Sequence, residues 1–203
     1  MSKNLLIVFV KNIKHGETKT RLAKTIGTEG ALLVYRCLVE ITERAIQGVN
    51  AEKHIYFSDK IIDKNWKKTS KFVQNGADLG EKMKKAFKNG QKNKFEKIVL
   101  IGSDLPDISP TIIQRGFDAL ENSEVVFGPA EDGGYYLVGM TKPRFCIFEN
   151  KQWSTENLLE ETINELEEKG IRYSLLETLN DVDTIDDLKK SRIFESVKKH
   201  FIF

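Results

Sequence analysis

KIVLIGSDLPDISPTIIQRGFDALENSEVVFGPAEDGGYYLVGM, Lys97–Met140, alternates apolar runs with acidic, glycine-marked turns. Ile98–Ile101 and Val125–Phe127 are short, largely β-branched and free of charge, the composition of buried strands. The first run leads into Gly102-Ser103-Asp104-Leu105-Pro106, the second into Gly128-Pro129-Ala130-Glu131-Asp132-Gly133-Gly134. Between them Ser109-Pro110 opens a helix, because serine accepts a hydrogen bond as an N-cap and proline at the first helical position forgoes an N–H that would have no partner. Tyr135–Met140 is another extended run, and no helix-length insert separates it from Val125, which predicts one antiparallel strand. Strand, acidic turn, helix, strand, acidic turn is the order of an α/β enzyme whose site lies at the carboxyl ends of its strands. Asp104 and Asp132 are the first residues to suspect.

The same grammar extends outward. Leu5–Val10 is a continuous apolar run, as in a strand covered on both faces. A polar segment from Lys11 to Gly27 follows, and a helix is expected from about Glu29 to Gln47, with Val34, Leu38, Ile41 and Ala45 on one face. His54–Ser58 and Phe72–Gln74 read as strands. Asp78-Leu79-Gly80-Glu81 has the spacing of a capping box, opening a helix that ends near Gly90. A helix over Thr155–Lys169, capped by Ser154 or Thr155, and a strand over Arg172–Leu176 come next. Asp181-Val182-Asp183-Thr184 leads into a last helix, with Thr184 and Asp187 spaced to cap it. Alternating strands and helices predict a three-layer α/β/α fold with a mostly parallel sheet, as one domain over residues 1–203.

Composition excludes several classes. Lys and Arg number 32 against 30 Asp and Glu, a formal net charge of +2, so no overall field marks a nucleic-acid binder. With 40% hydrophobic and 31% charged residues, the chain can build a core. Cys37 and Cys146 lie far apart in apolar surroundings and read as free thiols of a reducing compartment. Leu5–Val10 is too short for a membrane span or a signal segment, and a cytoplasmic location is expected. The three histidines form no Ser/His/Asp or metal-binding spacing, which disfavours a histidine-based hydrolase.

In a parallel sheet the polar turns after successive strands share one rim. Lys14, Lys19 and Arg21, with Gly16 permitting close backbone approach, suit a phosphate cradle, yet the segment lacks both the P-loop and the Gly-x-Gly-x-x-Gly spacing. Asp104, at a strand end beside phosphates, suits a hard divalent cation, its alternative being a turn or capping aspartate. Asp132 is either a general base or simply part of an Asp-Gly turn, and the two roles can coexist. Asp181 and Asp183 precede the last helix without being needed to cap it, which makes both candidates for a second metal ligand. Trp153 is either core or a platform for a sugar.

Lys11, Gly16-Glu17-Thr18-Lys19-Thr20-Arg21-Leu22-Ala23, Gln74 to Met83, Gly102 to Pro106, Gly128 to Gly139, Trp153-Ser154-Thr155 and Asp181 to Thr184 occur in one order over nearly the whole chain. Together they resemble a bacterial glycosyltransferase-like family of the nucleotide-diphospho-sugar transferase (GT-A) superfamily, and more distantly the molybdenum-cofactor and phospholactate guanylyltransferases. The resemblance implies a GT-A fold, a nucleotide-activated donor and Mg²⁺ or Mn²⁺. It places Asp104 at the metal-binding aspartate, Asp183 near the late metal-proximal position, and Lys19 and Arg21 in the phosphate loop. The usual Asp-x-Asp motif is absent, the turn reading Ser103-Asp104-Leu105-Pro106-Asp107.

The expected function is a metal-dependent transferase, with glycosyl transfer from a nucleotide-sugar to an unspecified acceptor leading. A nucleotidyltransferase releasing pyrophosphate from a nucleoside triphosphate, or a non-catalytic nucleotide-binding protein, are the alternatives. Nucleotide and phosphate contacts are expected from Lys11, Lys14, Gly16, Lys19, Arg21, Gln74, Gly76 and Asp78, metal binding from Asp104 and Asp183, and catalysis from Asp132, Lys19 and Arg21. The acceptor side falls to Gly133, Gly134, Tyr135, Trp153, Ser154 and Thr155.

Overall fold

Alternate residues of the first strand, β1 (Asn4–Val10), point to opposite sides, and both sides are buried. Leu6, Val8 and Val10 join one core and Leu5, Ile7 and Phe9 the other, which is why the run shows no polar alternation. A computed structural model describes residues 3–14, 16 and 18–201; His15 and Glu17 lie outside the described residues. The remaining strands are β2 (Glu52–Phe57), β3 (Ser70–Val73), β4 (Lys97–Ile101), β5 (Val125–Pro129), β6 (Tyr135–Met140) and β7 (Tyr173–Leu175). They form a seven-stranded sheet in the order β3-β2-β1-β4-β6-β5-β7. All pairings are parallel except those of β6, which runs antiparallel between β4 and β5 as its short connection requires.

Helices cover both faces. α1 (Thr20–Gln47) and α3 (Pro110–Ala119) lie on one side, with Tyr35, Ile113 and Phe117 in the core. α2 (Leu79–Lys92) and α4 (Leu158–Glu168) lie on the other, with Met83, Phe87, Leu159 and Leu166 inward. Each such fully buried aliphatic or aromatic side chain contributes about 1.5–3 kcal/mol. α5 (Ile185–Lys190) and α6 (Phe194–Val197) pack Leu188 and Val197 on the outer face of α1, against Leu22, Val34 and Leu38. The fold is the three-layer α/β arrangement that the alternation implies, with one antiparallel strand.

Three boundaries differ from expectation. α1 begins at Thr20, not near Glu29, because Gly27 (φ 75°, ψ 163°) marks a kink between two helical pieces and not the end of a loop. The polar stretch after β1 is therefore shorter, and Lys19 stands at the N-cap position of a helix without a side-chain capping bond. α4 begins at Leu158 with Asn157 as N-cap, while Thr155 Oγ1 instead donates to the Gln152 carbonyl at 3.0 Å. Glu81, read as half of a capping box, accepts from Ala77 N at 2.7 Å, one residue before the cap, while Asp78 accepts from Glu81 N as expected. The Ser109 cap and the reciprocal Thr184–Asp187 box form as their spacing predicts.

Candidate functional site

The carboxyl rim gathers three segments from distant parts of the sequence. Lys19, in the left-handed region at φ 49°, turns its side chain inward at the start of α1 and leaves only 3% of it exposed. Its Nζ lies 3.0 Å from Asp104 Oδ2, at the end of β4, and 3.6 Å from Asp183 Oδ1. Arg21, two residues further along and mostly exposed, reaches Asp183 Oδ2 at 3.3 Å. The segment bearing Asp183 docks through the buried Val182, whose N–H donates to the Asp104 carbonyl at 3.4 Å.

A buried tyrosine ties this rim together. Lys11 N donates to Tyr35 Oη at 2.9 Å, and the same hydroxyl meets Ser103 Oγ at 3.0 Å, joining the ends of β1 and β4. No sequence signal singled out Tyr35; it sits in the apolar stripe of α1.

Charge in this cluster is mutually adjusted. Burial works against the Lys19 ammonium, but Asp104, Asp181 and Asp183 outweigh it and hold its pKa above the ordinary lysine value. Burial likewise opposes ionisation of Asp104, yet Lys19, and then Lys11, keep its carboxyl below the usual range. Asp181 has the reverse fate. Burial, followed by repulsion from Asp104, pushes it up to about 6, against the pull of Lys19.

Beside the ion pairs a cleft opens, lined by Gly102 and Asp104 from the β4 end, Asp132, Gly134 and Tyr135 from the β5–β6 turn, Trp153, Ser154 and Thr155, and Asp181. The turn is held by local bonds. Asp132 Oδ1 accepts from Gly134 N at 2.9 Å, and Gly133 O accepts from Leu159 N at 3.0 Å. Gly133 has φ 85°, and a Cβ there would fall 1.8 Å from the Glu156 carbonyl oxygen, so only glycine fits. Trp153 is half-buried, packs against Gly80 of α2, and forms a wall of the cleft. Ser154 is held at φ 67°, in the left-handed region that a serine rarely occupies.

The structure thus brings Asp104, Asp132, Gly134, Tyr135, Trp153, Ser154 and Thr155 to one cleft, with Lys19, Arg21 and Asp183 joined to it through the ion pairs. The other candidates lie outside its lining. Gln74 donates from Nε2 to the Tyr56 carbonyl at 3.0 Å, Asp78 caps α2, and Gly76 abuts Lys82 N closely enough to exclude a Cβ. Lys14 faces Asp59 at 3.4 Å, and Gly16 takes φ 80° in the β1–α1 loop. Asp181 lines the cleft, whereas Asp183, the acid favoured by the resemblance, faces Lys19 and Arg21.

Asp104, Asp181 and Asp183 offer the carboxylate oxygens a hard divalent cation prefers. Among the described residues no three His, Cys, Asp or Glu side chains form a ready-made metal cage.

With this geometry in view, the fold defines a class: nucleotide-diphospho-sugar transferase-like α/β proteins. A crystal structure of a candidate nucleotide-diphospho-sugar transferase from Desulfovibrio desulfuricans matches with a TM-score of 0.89 and 29% identity, over 98% of this chain and 96% of that one. The chain belongs to the bacterial family DUF2064, described as an uncharacterized protein conserved in bacteria, which matches residues 43–155. The inositol-1-phosphate CTP transferase from T. maritima shares the fold at 13% identity and a TM-score of 0.60, over 98% and 96% of the two chains. Rv0371c from Mycobacterium tuberculosis H37Rv, solved in complex with manganese, does so at 15% identity and a TM-score of 0.55, over 96% and 100%. No curated protein matches the sequence. Among the described residues no helix is long and apolar enough to cross a membrane.

Proposed function

We propose that this protein is a metal-dependent transferase acting on a nucleotide-activated donor, with glycosyl transfer from a nucleotide-sugar as the leading reaction. The observation that carries the reading is the buried Lys19–Asp104 pair at the carboxyl rim, opening directly onto the aromatic and acidic cleft. Lys19 and Arg21 supply positive charge where donor phosphates would lie, and they offset the charge that develops on a phosphate leaving group. Asp104 and Asp183 would hold Mg²⁺ or Mn²⁺, which would supply Lewis-acid stabilisation of the phosphate charge. Trp153 offers a flat apolar face for a sugar ring, and Asp132, open to the cleft, accepts the proton of an attacking hydroxyl. The manganese complex of a fold relative supports the cation, and the Desulfovibrio protein supports the donor class.

Nucleotidyl transfer is the second reading. Cytidylyltransferases recur among the fold's relatives, and Lys11, Lys14, Lys19 and Arg21 carry enough positive charge for a triphosphate. Thermal-shift titration with nucleoside triphosphates and nucleotide-sugars, with and without Mg²⁺ or Mn²⁺, tests the common core. Wild type is expected to shift only with nucleotide and metal together, and Asp104→Ala to lose the metal-dependent part. A metal-dependent shift that survives in Asp104→Ala would falsify the ligand assignment. The product then separates the reactions: nucleoside diphosphate for glycosyl transfer, pyrophosphate for nucleotidyl transfer.

A further inference from the structure

The cleft has one chemical property that the function proposed above leaves unused. Its lining carries three carboxylates, Asp104, Asp132 and Asp181, and among the described residues it carries no lysine, arginine or histidine. None of the rim's cations is part of that lining: Lys19 is buried against Asp104, Arg21 pairs with Asp183, and Lys11 acts on Asp104 from outside it. Two of the three acids have partners for their charge, since Asp104 is paired with Lys19 and Asp181 also feels that ammonium. Asp132 differs. Its bond within the turn comes from the neutral Gly134 N–H, and among the described residues no cation stands within ion-pair distance of it.

The remaining walls are apolar or aromatic. Leu79, Leu105, Leu158 and the Trp153 ring enclose the space, and the buried Tyr135 hydroxyl has no hydrogen-bond partner among the described residues, so that tyrosine adds to the apolar wall. A phosphate or carboxylate entering here would meet uncompensated negative charge in a partly dry site, where like charges cost most. An uncharged ring would lose nothing, and a cationic group would gain from Asp132.

From this lining we infer that the acceptor is a neutral or cationic hydroxyl compound with a ring face, and not a sugar phosphate or sugar acid. The inference rests on the transferase reading and names the substrate class of the same cleft. It also sets this protein apart from its fold relative named for inositol-1-phosphate, an anionic compound. Asp132 is then the residue that sets the charge preference, and Trp153 the one that accepts the ring.

Three probes that differ only at the sugar C6 test it: phenyl β-glucoside, its 6-amino-6-deoxy analogue and phenyl β-glucuronide. Quenching of tryptophan fluorescence reports binding to the full-length protein, with Trp153→Phe separating the signal from that of the buried Trp66. The glucoside and amino-glucoside are expected to bind at least about ten-fold more tightly than the glucuronide, the scale of one like-charge contact near a protein surface. Asp132→Asn, which keeps an oxygen for the Gly134 N–H, is expected to reduce that gap to less than about three-fold. Equal or tighter glucuronide binding by wild type, a gap unchanged in Asp132→Asn, or no binding by any of the three overturns the inference. Nucleotide thermal shifts on the same preparations keep the two questions apart. Nucleotide binding without the charge ranking removes only the acceptor class, whereas the ranking without nucleotide binding removes the transferase reading.

Discussion

Asp104 and Asp132 both follow an apolar strand on the same rim, in turns marked by glycine, but they are held by different means. Asp104 depends on residues far away in sequence. Its carboxylate meets Lys19, 85 positions earlier, and its carbonyl receives Val182. Asp132 depends on its own neighbours, accepting from Gly134, while Gly133 locks the turn against Glu156 and Leu159. One acid is thus part of a charge network that exists only in the folded chain, and the other sits on a local device that leaves its charge open to the cleft. A held charge suits fixed electrostatic work, and an open one suits contact with an exchanging ligand.

Removing Lys19 strikes the network hardest. Lys19→Met leaves Asp104, Asp181 and Asp183 without their shared cation, and the expected loss is about 3 kcal/mol, at the lower end for a buried pair because Asp104 keeps a quarter of its side chain exposed. Urea unfolding followed by circular dichroism measures it, and adding Asp104→Asn should recover part of the loss. A cost below about 0.5 kcal/mol would show that the pair is screened like a surface bridge, and the contrast with Asp132 would collapse.

Gly133→Ala is the matching blow to the local device. The new methyl needs both a left-handed backbone and room that the Glu156 carbonyl occupies, so a loss of about 2–3 kcal/mol is expected in the same assay. Asp132→Ala should cost only about 1 kcal/mol, the worth of one exposed hydrogen bond. If Asp132→Ala proved as damaging as Lys19→Met, Asp132 would belong to a tertiary network after all.

This contrast also explains what the sequence could reveal. Strand positions, the antiparallel β6 and the caps at Ser109, Asp78 and Thr184 follow from local patterns that neighbouring residues complete, and so does the Asp132 turn. The rim network was legible only as a list of suspects. That Lys19 turns inward depends on α1 starting at Thr20, which Gly27 concealed by resembling a helix boundary. Asp181 and Asp183 are equivalent candidates in the sequence, and only the tertiary structure separates them, with Asp181 lining the cleft and Asp183 meeting Arg21. Tyr35, which joins two strand ends, carried no mark at all.

The smallest expected effect comes from pH, and it arises far from both acids. His54 lies on β2 opposite Ser70, a residue 6% exposed with its ring between Phe72 and Phe95, and among the described residues its Nδ1 has no partner. Burial lowers its pKa below the ordinary value of 6.5, against a weaker pull from Glu52. The folded ring therefore stays neutral where the unfolded one takes up a proton, so the unfolded state binds more protons and acid favours it. This contribution is complete above pH 6.5 and is lost as pH falls from there through the lowered folded value. His54→Phe, placed between the same two rings, removes that loss. Urea midpoints at pH 7.5, 6 and 5 should therefore fall less steeply for His54→Phe than for wild type. Parallel decline of the two proteins would move the acid response to carboxylates held below their ordinary range, Asp104 among them, because Asp181, raised to about 6, takes up its proton more readily in the folded state and favours that state as pH falls. The comparison of Asp104 with Asp132 would then have to be measured above that range.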